Sequence, residues 1–303
     1  MKEIYSSSVE HLLGAAKAWL FPVALFPHLP DEGVTAAIRT WDALDQSLLL
    51  GFATTLIATV LSSYARPLYR VLEGYSWPGR LADHRTQKQR ERMADLRKEI
   101  LSKGASRKEI NRKRWQLELY PRDESLVLPT RLGNALRSGE AYGGTQYGLE
   151  TINAWHLLVA VAPEAVVSGL NDGRTATNTW VGGIALSAGF AIAAVATAIA
   201  SGSTTPIVYA VVSIALTAPF YQRAVSAAGG YARAMRALID LGRLPLAEAV
   251  GLDMPATLAE ETHMWKAFSN LSGWGRHWPH SPSWISDLDV HRSSHRTAPD
   301  EEE

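Results

Sequence analysis

The chain has 303 residues, 47% of them apolar, with 30 Lys+Arg against 30 Asp+Glu and no cysteine. This composition excludes a disordered chain and a collagen-like repeat. The missing cysteine excludes a disulfide scaffold, thiolate catalysis, and Cys-ligated zinc or iron–sulfur centres. Charge is unevenly placed. Residues 46–65 and 175–222, runs of 20 and 48, carry none, although 20% of the chain is charged. These runs predict an all-α integral membrane protein with about three transmembrane helices and a cytoplasmic helical domain.

Residues 1–45 open with Ser7-Ser8-Val9-Glu10, a capping box. It starts a helix that Pro22 stops, too short to cross a bilayer and suited to its interface. A proline-broken apolar segment follows. Glu3, Glu10 and Lys17 interrupt the start, so no cleaved signal peptide is expected. Residues 46–65 then form the first span, because a hydrocarbon core of about 30 Å needs roughly 20 helical residues.

Residues 66–174 form a basic helical region. Within 66–114, 15 Lys/Arg face 6 Asp/Glu. Two helices are expected here. The first ends at Gly104 and carries a thin stripe of Met93, Leu96 and Ile100. The second opens at the capping box Ser106-x-x-Glu109, buries Trp115, Leu117 and Leu119, and ends at Pro121. Arg90, Arg92, Arg97, Lys98, Arg112, Lys113 and Arg114 are candidates for contact with anionic lipid headgroups, each contributing on the order of 1 kcal/mol near the surface. The competing readings are a solvated helix face and nucleic-acid binding. The second has no recognition motif behind it, so no nucleic acid is expected.

Thr130 can cap the next short helix, which Gly143-Gly144 should break. The run Leu128-Pro129-Thr130-Arg131-Leu132-Gly133-Asn134 carries a resemblance, together with Glu140, Tyr147-Gly148, Trp155 and Pro163-Glu164. The Leu68-Tyr69 and Glu73-Gly74-Tyr75 runs fit it as well. Across residues 66–270 the chain resembles a group of uncharacterised actinobacterial multi-pass membrane proteins. The resemblance implies a bacterial membrane location and carries over no catalytic residue.

Residues 151–170 are apolar but cut at Pro163-Glu164, which favours a helix at the membrane face or on the cytoplasmic domain over a fourth span. His156 and Glu164 could share a helix face and make a polar site if Pro163 allows it. Otherwise Glu164 opens a helix after proline, where the dipole favours an anion.

Residues 175–222 are too long for one span and right for two, near 176–200 and 206–222, turned by Ser201–Pro206. Gly183, Ser187 and Gly189 are helix-packing candidates, because small residues let helices approach closely in lipid. Residues 223–271 form further cytoplasmic helices. In the first, Val225, Ala232, Met235, Leu238 and Ile239 point inward, and Thr257-x-x-Glu260 caps the second. Residues 272–303 read as a disordered tail, in which His291 and His295 are solvated rather than metal ligands.

Arg66, Arg70, Arg80 and Arg85 follow the first span and Arg223 follows the third. The positive-inside rule then gives a multi-pass inner-membrane protein with its N-terminus outside and its C-terminus cytoplasmic. No phosphate-loop, dinucleotide, zinc-protease or nucleophile-elbow motif is present, no cofactor is implied, and an enzyme is not favoured. The expected function is non-enzymatic. A basic helical module is held at the membrane, acting through lipid or through an unidentified protein partner as a homo-oligomer. An oligomeric channel or transporter is the alternative.

Overall fold

The computed structural model describes residues 65–102 and 106–274. The expected interfacial helix and proline-rich segment of 1–45, the span at 46–65 apart from Ala65, the helix end at Gly104 and the tail from 275 lie outside the described residues. Among the described residues the chain is all-helical. The helices are α1 (Ala65–Glu73), α2 (Gly79–Leu101), α3 (Arg107–Leu117), α4 (Arg131–Glu140), α5 (Tyr142–Tyr147), α6 (Thr151–Val161), α7 (Glu164–Ser201), α8 (Thr205–Ala249) and α9 (Leu258–Trp274), with a 3-10 turn at Glu124–Leu126. Two compact units emerge. One comprises residues 65–77 with Arg174–Ala227, the other Pro78–Gly173 with 228–274, and α7 and α8 contribute to both.

In the first unit, α7 and α8 are long and apolar enough to cross a membrane. Gly202 makes the reversal between them at φ +64°, a left-handed conformation that glycine adopts without a Cβ penalty. Ser201 Oγ accepts the Ser203 amide at 3.3 Å and so supplies the turn with a polar partner. Near the turn the buried positions are small, among them Ser187, Ala191, Ala194, Ala198, Ala210 and Ser213, while Val181 and Ile184 are buried further from it. Ala194 and Ala210 pack together under Phe190 and Tyr209, and the Trp180 and Phe220 rings sit 5.9 Å apart. Tyr69 of α1 donates to Asn178 Oδ1 at 2.6 Å.

Both helices outrun their expected bounds. α7 starts at Glu164 rather than near 176, and α8 carries the stretch expected as a third span and the following amphipathic stretch as one helix. It passes Pro219 and Pro245 without ending. Each proline removes one backbone bond, a local loss that a 45-residue helix absorbs because its other turns stay paired.

In the second unit, α2 and α3 pair beside a small cluster of Met93, Leu96, Tyr120 and Val127. The Ser106 capping box forms in full, and Lys113 Nζ meets Glu99 Oε2 at 3.4 Å between the helices. Trp115 departs from expectation at 40% exposure: α3 has no buried residue, and burial falls beyond its end on Leu119 and Tyr120. The main core joins α6, the end of α8 and α9 around Leu149, Leu158, Leu238, Ile239, Met264 and Trp265. Met235, Leu238 and Ile239 are buried here, Ala232 lies against α4, and Val225 is buried in the other unit.

Two further expectations are settled by the helix ends. The break assigned to Gly143-Gly144 falls instead at Ala141, and both glycines lie inside α5. Gly143 leaves space that a side chain would fill, since a Cβ there would meet Leu149 O at 2.6 Å. Pro163 does divide residues 151–170, leaving α6 with 11 residues, about half a bilayer crossing.

Candidate functional site

The site begins with the loop that leads into α4. Asn134 is fully buried, accepts the Leu128 amide at 2.7 Å and donates from Nδ2 to Leu128 O at 2.9 Å and Thr130 O at 2.8 Å. Thr130 Oγ1 accepts the Gly133 amide at 3.0 Å and caps the helix. The Leu128–Asn134 run is therefore a local clamp, with Thr130 and Asn134 turned inward and Arg131 exposed. Further along α4, Gly139 lies so near α8 that a Cβ would meet Ala232 Cα at 2.8 Å. That close approach carries Ser138 to Arg236.

Arg236 Nη2 donates to Glu118 O at 2.8 Å and to Ser138 Oγ at 2.9 Å. Its Nε is buried and meets no hydrogen-bond partner. Burial disfavours its charge, the Glu118 carboxylate partly offsets that, and Arg122 adds like-charge repulsion, with the net effect downward. Both guanidiniums lie against one ring: Arg122 is 5.2 Å and Arg236 5.9 Å from the Tyr142 centroid. Arg122 also bonds Gln146.

Asp240, one turn beyond Arg236, is occupied elsewhere. It accepts Tyr142 Oη at 2.9 Å and Tyr147 Oη at 2.8 Å. Burial and this carboxylate push both phenols above their ordinary range. Arg243 stacks 4.5 Å from the Tyr147 centroid and pairs with Glu261 at 3.3 Å, and Trp265 Nε1 donates to Glu261 at 3.2 Å. This chain of contacts ties α5, α8 and α9 together. Gly148 ends α5 at φ +78° with the Thr262 carbonyl only 2.6 Å from where a Cβ would lie.

A cleft of about 410 Å³ opens between these elements, lined by Arg97, Arg114, Arg122, Arg236, Ser138 and Tyr142 among others. Glu118 is the single acidic residue in its wall. Arg97 is committed to Glu124 and to Arg122 O. Arg114, exposed, makes no ion pair among the described residues.

The residues singled out in the sequence fall in several places. Arg92, Lys98, Arg112 and Arg114 are exposed. Arg90 donates to Glu124 O at 3.1 Å, Arg97 pairs with Glu124, and Lys113 pairs with Glu99, so these three turn partly inward. His156 and Glu164 are both exposed and lie on separate helices, α6 and α7, with Pro163 between. In the first unit Gly183 faces Phe220, whose ring a Cβ would meet at 3.3 Å. Ser187 is fully buried with its hydroxyl unpartnered, and Gly189 has nothing within 4 Å. Arg122, Arg236, Tyr142 and Asp240 were not singled out. The readable signal was Arg236, Asp240 and Arg243 at i, i+4 and i+7 on one face of a helix. Among the described residues no three metal-ligand side chains cluster. No protein-family model matches the chain, and neither does any curated protein or solved structure.

Proposed function

We propose that the chain is a non-enzymatic bacterial inner-membrane protein that holds a basic helical module at the cytoplasmic face and acts through anionic lipid or protein contacts as an oligomer. The observation that carries this reading is the exposure of the long apolar helices. Only 28% of one apolar stretch and 17% of the other is buried, with Ile192 at 72% and Ile199 at 79% exposure. A core helix of a water-soluble protein would bury those side chains, whereas a lipid-facing helix presents them. The exposed Arg92, Lys98, Arg112 and Arg114 suit an anionic surface. Uncharacterised actinobacterial multi-pass membrane proteins are the group the chain resembles.

Reporter fusions test the topology. A fusion after residue 203 should read periplasmic, and fusions after 110 and 260 should read cytoplasmic. Opposite readings at 110 and 260 would overturn this arrangement. In nanodiscs of phosphatidylcholine with or without phosphatidylglycerol, the Arg112–Arg114 segment should resist trypsin only with the anionic lipid. Salt should remove the protection as the Debye length falls from about 10 Å at 0.1 M to about 3 Å at 1 M. Protection indifferent to lipid charge would remove the lipid contact. Ionic currents across planar bilayers would replace the reading with the channel alternative.

A further inference from the structure

We propose that the arginine-lined cleft of the second unit binds a phosphoryl group, with its oxygens held by Arg122 and Arg236 and with Arg114 beside them. The cleft already holds positive charge without matching negative charge. Two guanidiniums flank the Tyr142 ring, and neither has a carboxylate as its hydrogen-bond partner: Arg122 bonds an amide oxygen, Arg236 a carbonyl and a hydroxyl. The nearest carboxylate on α8, Asp240, is taken by two phenols. Glu118 stands alone against the arginines in the wall.

The geometry is also built rather than accidental. Arg236 is held in place by Glu118 O and by the buried Ser138, which leaves its Nε as a buried donor with no acceptor. That anchoring fixes the guanidinium in the cleft wall before any oxyanion arrives, which lowers the ordering cost of binding. Planar guanidinium forks match the oxygens of a phosphate, which carries close to two negative charges and several acceptors. The volume, about 410 Å³, falls within the range of about 300–1,000 Å³ that holds small molecules. A phosphomonoester or diphosphate is therefore the class of ligand, whether free in solution or at the head of a lipid. The proposal shares only Arg114 with the membrane reading and rests on Arg122 and Arg236, which that reading does not use, so it fails or stands apart from it.

The test uses the full chain purified in mild detergent and titrated calorimetrically with inorganic pyrophosphate and with glycerol 3-phosphate. Saturable binding at one site is expected. Arg122→Gln, at an exposed position that should leave the fold intact, should weaken binding about tenfold or more through loss of a charge-assisted bond. Arg236→Lys keeps the charge but loses the fork and should weaken it as well. Arg85→Gln removes an equal charge outside the cleft and should change affinity less than about twofold. No saturable binding overturns the proposal, as does equal weakening by Arg85→Gln or none by Arg122→Gln. The titration is then repeated in nanodiscs. If phosphatidic acid, but not phosphatidylcholine, blocks pyrophosphate, a lipid headgroup is the source. If neither blocks it, a soluble phosphate is. Either result retains the phosphoryl site.

Discussion

Replacing Asn134 by Asp exchanges an amide for a carboxylate with almost no change in volume, yet it should disable the clamp at the start of α4. The amide donates to Leu128 O and Thr130 O at 2.9 and 2.8 Å, and its oxygen accepts from Leu128 N at 2.7 Å. Asp retains the acceptor and turns the donor into a second acceptor facing two carbonyls. Two lost bonds are worth about 2 kcal/mol together. A carboxylate at a fully buried position adds desolvation and repulsion, raising the loss to about 3–5 kcal/mol. Asn134→Ala loses all three bonds but buries no charge, so it should cost less than Asp, about 2–3 kcal/mol. The pH dependence separates the two. A carboxyl pressed against carbonyls has its folded pKa raised above the unfolded value, so the protein regains stability below the unfolded pKa and loses it as pH rises through the folded one. Near-UV circular dichroism melts of the full chain in detergent should place Asn134→Asp roughly 5–15 °C below the parent at pH 7, with a gap that narrows on acidification. The gap for Asn134→Ala should stay constant. Equal melting of the Asn134→Asp and Asn134→Ala chains at every pH would refute the clamp.

The other predictions follow from the same packing. Asp240→Asn keeps one acceptor for two phenols and should lower the melting midpoint by several degrees while shifting the Tyr142 and Tyr147 absorbance titration toward the ordinary phenol range. Gly139→Ala gains about 1 kcal/mol of helix propensity, but its methyl meets Ala232 Cα at 2.8 Å, so net destabilisation is expected in a thermal melt. Gly79→Ala, with nothing within 4 Å, should be neutral or stabilising. Burial holds the Glu140 carboxyl above its usual value. Its contribution to stability is therefore full below about pH 4.5 and lost as pH rises through the folded pKa. Melts across that range should show Glu140→Gln flattening the slope. Gly183→Leu should disturb the α7–α8 hairpin itself through Phe220, whereas Gly189→Leu should act only on contacts between copies or with lipid. Melting against native mass in detergent distinguishes them, and no effect of Gly183→Leu on melting would contradict the packing.

Local rules carried far in this sequence, for a physical reason. A cap is a bond between side chain and backbone three residues apart, and Ser106, Thr130 and Thr257 all accept from the amide three residues on. The inward stripe of α8 was likewise legible, because 3.6-residue periodicity is a property of the helix alone. The cleft was not. Tyr142 meets Asp240 across 98 residues, and Arg236 meets Glu118 across 118. No local pattern brings those pairs together; they depend on the missing side chain at Gly139, which lets α4 lie against α8. The basic run misled in the same way. Composition treats its cations alike, but Arg97 is folded onto the turn at Glu124, while Arg122, in a loop outside the run, reaches the Tyr142 ring.

One helix brings these lines together. α8 carries Ile207, Val211 and Ile214 at 49, 61 and 59% exposure near its start, and Leu238 and Ile239 at 0% further on. Similar side chains thus meet opposite surroundings within one continuous element. In water the first group would leave apolar area uncovered at roughly 25 cal/mol per Å², a penalty that no neighbouring charge relieves. Charge also changes between the two groups: none lies between residues 175 and 222, and Arg223, Arg233, Arg236, Asp240 and Arg243 follow, although Leu241 and Leu244 among them are still 54 and 51% exposed. A surrounding of lipid for the uncharged part and of protein and water for the charged part removes the conflict without altering a single contact. On that reading the cleft belongs with the charged part of α8, where carboxylates, phenols and guanidiniums can be both hydrated and paired.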